Sequence, residues 1–454
     1  MSDYLFLMES RLSPEQWRVV LRMQKAAELL SMTLYLAGGA IRDLICGFPI
    51  EDLDFVVEGK ALQLVRSLSR KEFQVTWQSD RLQAAELQTS SGVLASICMA
   101  RSEIYSNSKK GHPIIAPADI MTDLKRRDFS INAIGLSLNP QSRGLLLDPT
   151  NGAGEIERKQ IRILHNRSFY DDPIRMFRAV RFRTRLRFSW EEKTAAQFEI
   201  AKENRFQEQA SGEDLARELR QIPRESNPAD ILKALEKEKL LSALNPRLQG
   251  SKVNWQGIAQ AAKAGQSLVM AGLPSTSFNL FLYLLGSKLP PRDRIQLSKR
   301  LELKRPESTA WQKLESGAKR LAKELTGKQT ASPARLYNLL ISTPSDLIVF
   351  LQIESPPGRI QSQIKTFLRK YLPLRFRLPV RELEEMGVAP GTPKHQQILD
   401  AYFHELLEGK LRSRAEQIKF LKRMVPGSEE KPKKKERQER QQRKDTIRQK
   451  VLRS

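Results

Sequence analysis

Apolar and polar positions follow two rhythms along this chain. Up to about residue 140, short apolar runs alternate with turn residues and brief stretches of helical spacing. Trp17, Val20, Leu21, Met23, Ala27 and Leu30 give residues 14–32 the period of an amphipathic helix. An apolar run at 35–37 stops at Gly38-Gly39, a short helix is predicted over 40–46, and Gly47 and Pro49 end it. Leu53, Phe55, Val56 and Val57 then read as a buried strand. A helix around 61–69 and strands near 73–77, 82–88 and 92–99 complete a small mixed sheet with helices. Beyond it the spacing is helical, at 169–188, 211–219, 229–244, 278–289, 333–341, 345–352 and 396–424, with a loop at 387–393. The pattern predicts a small mixed α/β sheet up to about residue 140 and a helical remainder to about 425.

Composition narrows the partners. The 454 residues suffice for two to four domains, and 40% hydrophobic with 28% charged residues suits a soluble globular protein. The formal net charge of +25 points to a polyanion, either nucleic acid or an anionic membrane surface. No apolar run approaches spanning length, and the opening MSDYLFLMES lacks a basic signal-peptide region, so the expectation is a cytoplasmic protein with a nucleic-acid partner. Cys46 and Cys98 read as buried thiols. His112, His165, His395 and His404 have no metal-ligand spacing, so neither a zinc site nor a histidine triad is expected. The extension 426–454 is highly charged and too poor in apolar residues to form a core; its basic excess suits RNA as well as it suits simple solubility.

The chemistry concentrates at 35–59. Two glycines between strand and helix permit positive φ and close approach of a ligand, and the helix they open offers unpaired N–H groups to an anion such as phosphate. Arg42, in the first turn, opposes the helix dipole, which a bound anion would justify. Asp52 and Asp54, two apart on the next strand, leave one face; their repulsion calls for a hard divalent cation, Mg²⁺ above all. A phosphate-cradling turn beside a carboxylate pair outlines metal-assisted phosphoryl or nucleotidyl transfer. Within 123–138, Asp128 and Asn132 are four apart, on one helical face beside Arg127, suited to a ribose and a triphosphate; on spacing alone this stands level with a solvated basic helix start at Lys125, Arg126 and Arg127. At 169–188, Asp171-Asp172-Pro173 reads as an N-cap with Pro at the first helical position. Arg175, Arg178 and Arg181 follow along one cationic face that can grip phosphates.

These stretches resemble the bacterial-type (class II) tRNA nucleotidyltransferase and poly(A) polymerase family. The matching segments are LAGGAIRDLICG…DLDFVVEG, ARSEIY at 100–105, DLKRRDFSINAI, LLLDPTNGAGEIERKQIRILH at 145–165 and DDPIRMFRAVRF, in the family's order over roughly 33–245. Residues 387–422 also resemble the C-terminal segment of CCA- and A-adding members. The resemblance implies a template-independent enzyme that adds CMP or AMP from CTP or ATP to the 3′ end of tRNA. It makes 1–140 the α/β catalytic head, followed by an all-α neck that reads the nucleotide (141–250), a body (251–380) and a tRNA-binding tail (381–425). It assigns Asp52 and Asp54 to catalytic Mg²⁺, and Gly38, Gly39 and Arg42 to the triphosphate. Arg127, Asp128 and Asn132 would take phosphate and sugar, Asp172 and Arg175 the base edge, and Arg178 and Arg181 would complete that pocket. Three departures stand out: Ser96 where an acidic residue is common, Asp171 where Glu is, and Asp214 where Arg is. A poly(A) polymerase on the same scaffold is the alternative, and a catalytically silent RNA-binding protein a third reading.

Overall fold

The computed structural model describes residues 3–104, 113–270, 272–275, 277–327, 330 and 332–425. Tyr105 of the ARSEIY stretch, His112 and the charged extension 426–454 lie outside the described residues. The chain divides into two compact units: one is Met1–Asn254 with Gly286–Lys304, the other Trp255–Leu285 with Arg305–Ser454.

The first unit opens with helices α1 (Asp3–Arg11) and α2 (Pro14–Leu29), the second started by a Ser13–Gln16 capping box. Strand β1 (Thr33–Ala37), helix α3 (Gly39–Cys46) and strand β2 (Asp52–Glu58) follow as the spacing predicts. Then come α4 (Ala61–Ser67), β3 (Phe73–Ser79), β4 (Ala84–Thr89), β5 (Leu94–Met99), the hairpin β6 (Arg101–Ile104) and β7 (Ile114–Pro117), α5 (Ile120–Lys125), β8 (Gly135–Ser137) and β9 (Leu146–Leu147). Seven strands form one mixed sheet in the order β3-β4-β5-β2-β1-β8-β9. β2 sits centrally, antiparallel to β1 and parallel to β5, and Leu53, Phe55, Val56 and Val57 are all buried there. A strand covered on both faces needs the near-continuous apolar run that the sequence carries.

The same unit continues as α6 (Gly152–Glu157), β10 (Gln160–Ile161), α7 (Ser168–Asp171), α8 (Ile174–Leu186), β11 (Ser189–Trp190), α9 (Glu192–Glu203), α10 (Gly212–Gln221) and α11 (Pro228–Lys237). Phe129, fully buried, packs edge-to-face on Phe182 of α8 with ring centroids 5.9 Å apart.

Four local readings are corrected. Asp128 and Asn132 do not share a helical face: α5 ends at Lys125, and a 3-10 turn covers Ser130–Asn132, because the Asp128 carboxylate accepts from the Phe129 N–H and holds the chain out of helical conformation. Asp172 does not cap α8; it ends α7, its carboxylate turns to Arg175, and Pro173 occupies the capping position. The helix expected over 229–244 stops at Lys237, where Lys239 takes φ of +60° and a 3-10 turn follows at Leu241–Ala243. The helix expected over 396–424 is two, α12 (Pro393–Leu407) and α13 (Arg414–Met424), parted at Gly409, whose φ of +71° suits glycine, and restarted by a Ser413–Glu416 capping box.

The second unit is helical among its described residues, and α12 and α13 share a core of Leu383, Ile398, Tyr402, Phe420 and Leu421 there. Phe367–Tyr371 is a π-helical turn, which apolar periodicity did not announce. No single described helix is long and apolar enough to cross a membrane. The bent pair Pro333–Ile341 and Ser345–Glu354 passes by composition only as a pair, and Leu336, Leu340, Ile348 and Val349 are buried within it.

Candidate active site

The site grows from the β1–α3 turn. Gly38 adopts φ +73° and ψ −128°, a conformation closed to L side chains, and its N–H bonds the Ile134 carbonyl at 3.0 Å. A Cβ there would lie 2.7 Å from the Arg127 guanidinium, and one at Gly39 would lie 3.3 Å from Oδ2 of Asp54. The two glycines thus let Arg127 and Asp54 press against the backbone turn. No side chain caps α3, which leaves its first N–H groups to an outside anion.

Asp52 and Asp54 project from one face of β2, with buried Leu53 between them on the other. Asp54 pairs with Ser96 in the β2–β5 register, and the Ser96 hydroxyl donates to Oδ1 of Asp54 at 2.8 Å. Burial raises the Asp54 pKa and the like charge of Asp52 adds to it; the Ser96 bond and the Arg127 and Arg42 guanidinia pull the other way. Burial also raises Asp52, as do Glu86 and Asp43, against the opposing charge of Arg224, whose Nη1 lies 4.0 Å from Oδ2 of Asp52. Two carboxylates on one face that both resist ionisation fit a hard divalent cation, which would relieve the desolvation and the repulsion together. No group of three or more His, Cys, Asp or Glu suited to a metal occurs among the described residues, so an ion here would rest on the pair.

Arg42 is not the lone cation that its place in the first turn suggests. It is 3% exposed, forks onto the Asp43 carboxylate at 2.9 and 3.0 Å, and donates to Oδ1 of Asn132 at 2.7 Å. Its guanidinium lies 4.7 Å from the Phe182 ring centroid. Asn132 in turn donates to Asp128 at 3.0 Å, so Asp128 and Asn132 do meet, across the 3-10 turn rather than along a helix. Burial is the strongest single influence and opposes the Asp128 charge, but Arg178 at 2.8 Å, the Asn132 hydrogen bond and Arg175 together overcome it and bring the pKa down to about 2. Arg127 forks onto Asp123 at 3.0 and 3.2 Å and donates to the Asn132 carbonyl at 3.2 Å.

The arginines of α8 share a face as their spacing predicts, yet that face is neither bare nor purely cationic in its setting. Arg175, 4% exposed, donates to Asp172 at 3.3 Å, to Ser168 at 2.8 Å and to the Arg126 carbonyl at 3.5 Å. Asp172 has its pKa raised by burial, against the pull of Arg175, and Asp214 adds a like charge. Arg178 bridges Asp128 and, at 3.6 Å, Glu218. Arg181 is closed off by Glu218 at 2.5 Å and Glu225 at 2.7 Å, so it stands behind Arg178. Cys46 and Cys98 are free and half-buried; burial pushes Cys46 up to about 11.

Sequence reasoning missed the carboxylates that order these cations. Asp123, fully buried, holds Arg126 at 2.5 Å and Arg127 at 3.0 Å, and its i,i+3 and i,i+4 spacing could have revealed it. Glu218, Glu225 and Arg224 come from more than thirty residues beyond α8 and carried no local mark. Of the three departures, Ser96 bonds Asp54, Asp171 accepts from Arg167 at 3.4 Å, and Asp214 accepts from Ser211 and Arg217 at the start of α10.

Residues 34–162 match the poly(A) polymerase head domain family. An A-adding tRNA nucleotidyltransferase of Halalkalibacterium halodurans is 28% identical over 92% of this chain and 95% of its own length. One of Geobacter sulfurreducens is 23% identical over 88% of this chain, which spans only 46% of that longer protein. Among solved structures, a CCA-adding enzyme in an apo form superposes with a TM-score of 0.55 at 24% identity, covering 92% of this chain and 98% of that one, a likeness of fold. Residues 34–162 thus match a poly(A) polymerase head domain, the chain over most of its length is similar to A-adding tRNA nucleotidyltransferases, and its fold is like that of a CCA-adding enzyme.

Proposed function

We propose that the protein is a cytoplasmic nucleotidyltransferase that adds nucleotides to the 3′ end of tRNA from ATP or CTP with release of pyrophosphate, the terminal A being favoured by the A-adding relatives that match most of this chain. The observation that carries this reading is Asp52 and Asp54 on one strand face, beside the uncapped α3 and the Gly38-Gly39 turn. In this reading 1–140 is the catalytic head, 141–250 the neck, 251–380 the body and 381–425 a tRNA-binding tail. Asp52 and Asp54 would hold Mg²⁺, which would supply charge neutralisation to the displacement of pyrophosphate by the RNA 3′-hydroxyl. The N–H groups of α3, with Gly38 and Gly39 leaving room, bind the triphosphate, while Arg42 and Arg127 supply positive potential from behind them.

Asp172 and Arg175 offer a carboxylate acceptor and a guanidinium donor to a base edge. Asp128 and Asn132 lie next to the sugar, and Arg178 and Arg181 brace that pocket. The test uses tRNA transcripts ending before CCA, after C and after CC, each given labelled CTP or ATP. AMP added once, and only to the CC end, is the expected result. CMP added to the shorter ends would make the protein a complete CCA-adding enzyme, and long A tails a poly(A) polymerase. No addition to any of the three would overturn the reading.

A further inference from the structure

One cation at this site has no role in the reading above. Arg224 ends a 3-10 turn, Ile222–Arg224, that follows α10. Its neighbour Glu225 is gripped by two arginines of α8, Arg181 at 2.7 Å and Arg185 at 3.0 Å, and Arg185 also reaches Asp43 of α3 at 2.9 Å. Pro223 stiffens the turn from the other side. The backbone that carries Arg224 is thereby fixed to the helix that opens at the Gly38-Gly39 turn. Its side chain is 53% exposed, and its guanidinium lies 4.0 Å from Asp52, itself 42% exposed. An ion pair that open to solvent adds little to stability, so the placement points elsewhere. The two carboxylates have different neighbours: Asp54 lies against Gly38 and Gly39, and the Arg224 guanidinium pairs with Asp52.

We propose that Arg224 positions the RNA primer, pairing with Asp52 in the ligand-free protein and with a backbone phosphate of the RNA 3′ end once a divalent ion takes Asp52. The inference rests on the nucleotidyltransferase reading. A metal ion and a guanidinium compete for one carboxylate, and a displaced guanidinium on a fixed turn needs another anion. The triphosphate cradle lies beside Asp54, which leaves the primer phosphate as its partner; a guanidinium grips that group in a fork that lysine cannot copy.

The test compares the full-length protein with Arg224→Gln, Arg224→Lys and, as a surface control, Arg217→Gln. Mn²⁺ binding is titrated by electron paramagnetic resonance without nucleotide or RNA, and KM is measured for a CC-ending tRNA and for ATP. The expected result is Mn²⁺ binding at least about threefold tighter in Arg224→Gln, since a competing charge is gone. With it should come a KM for tRNA raised about fivefold or more and a KM for ATP within about twofold of the wild type, Lys restoring only part of the tRNA affinity. Unchanged Mn²⁺ affinity, or a rise in the KM for ATP in place of that for tRNA, would overturn the assignment. If the wild type extends no tRNA, the functional reading falls and the primer role with it. The Mn²⁺ titration separates the two failures, because the competition at Asp52 is measured without catalysis.

Discussion

At the scale of single residues, charge placed against burial decides what each group does. Asp128 is the case with a definite sign: its folded pKa of about 2 lies below the ordinary carboxylate value. Its stabilisation is therefore fully present above about pH 4 and is lost as pH falls through about 2, roughly 2 kcal/mol in all. Acid titration of Asp128→Asn, followed by circular dichroism, should show lower stability at neutral pH and a shallower loss between about pH 4 and 2 than the wild type. Asp54 has the opposite sign. Its folded pKa is raised, so its ionised form is disfavoured and stability falls as pH rises through that pKa. In chelator at pH 7, Asp54→Asn should melt above the wild type, the new amide still accepting from Ser96. Excess divalent ion at about ten times its Kd should raise the wild type by about 1.4 kcal/mol and the variant by much less. Equal melting of the two in chelator would contradict the raised pKa. Arg175→Ala should reduce the CTP/ATP discrimination by about tenfold or more, read as the ratio of kcat/KM values, because buried hydrogen-bonding groups are what reject the wrong base.

At the scale of elements, the sequence revealed what local rules control. The β1–α3–β2 unit, with its glycine turn, its αL stop at Gly47 and its carboxylate pair, was legible because each feature lies within a few residues of its cause. The capping error at Asp172 and the helical face expected for Asp128 and Asn132 have different origins: the Asp172 carboxylate is drawn to Arg175, whereas that of Asp128 takes the neighbouring Phe129 N–H and turns the chain. The acidic partners of α8 were invisible because Glu218 and Glu225 reach it through tertiary packing, so a row of arginines looked like an open phosphate grip when half of it is internal bracing. That bracing is testable. Glu225→Gln leaves Arg181 and Arg185 each short of a partner in a largely buried setting and should cost about 3 kcal/mol. Thermal melting should therefore drop by several degrees, whereas Glu213→Gln, an exposed partner of Arg217, should leave it nearly unchanged.

At the scale of the whole molecule, the formal net charge of +25 favours a nucleic-acid partner, and the two compact units hold it on a largely helical chain. Affinity for tRNA should then fall by about tenfold or more between 50 and 200 mM salt, as released counterions require; a salt-independent Kd would sever the link between charge and RNA. Composition could indicate a polyanion but not which one, and the number of nucleotides added is not written in any motif. The claim on which everything else depends is that Asp52 and Asp54 carry nucleotidyl transfer to a tRNA end. The most direct measurement is a single-turnover reaction of the full-length protein with a CC-ending tRNA, labelled ATP and Mg²⁺, beside Asp52→Ala/Asp54→Ala. One AMP per tRNA with pyrophosphate released, and a rate lower by about 10³ or more in the double variant, is the predicted result. Addition at the wild-type rate by the variant, or none by the wild type, would contradict it.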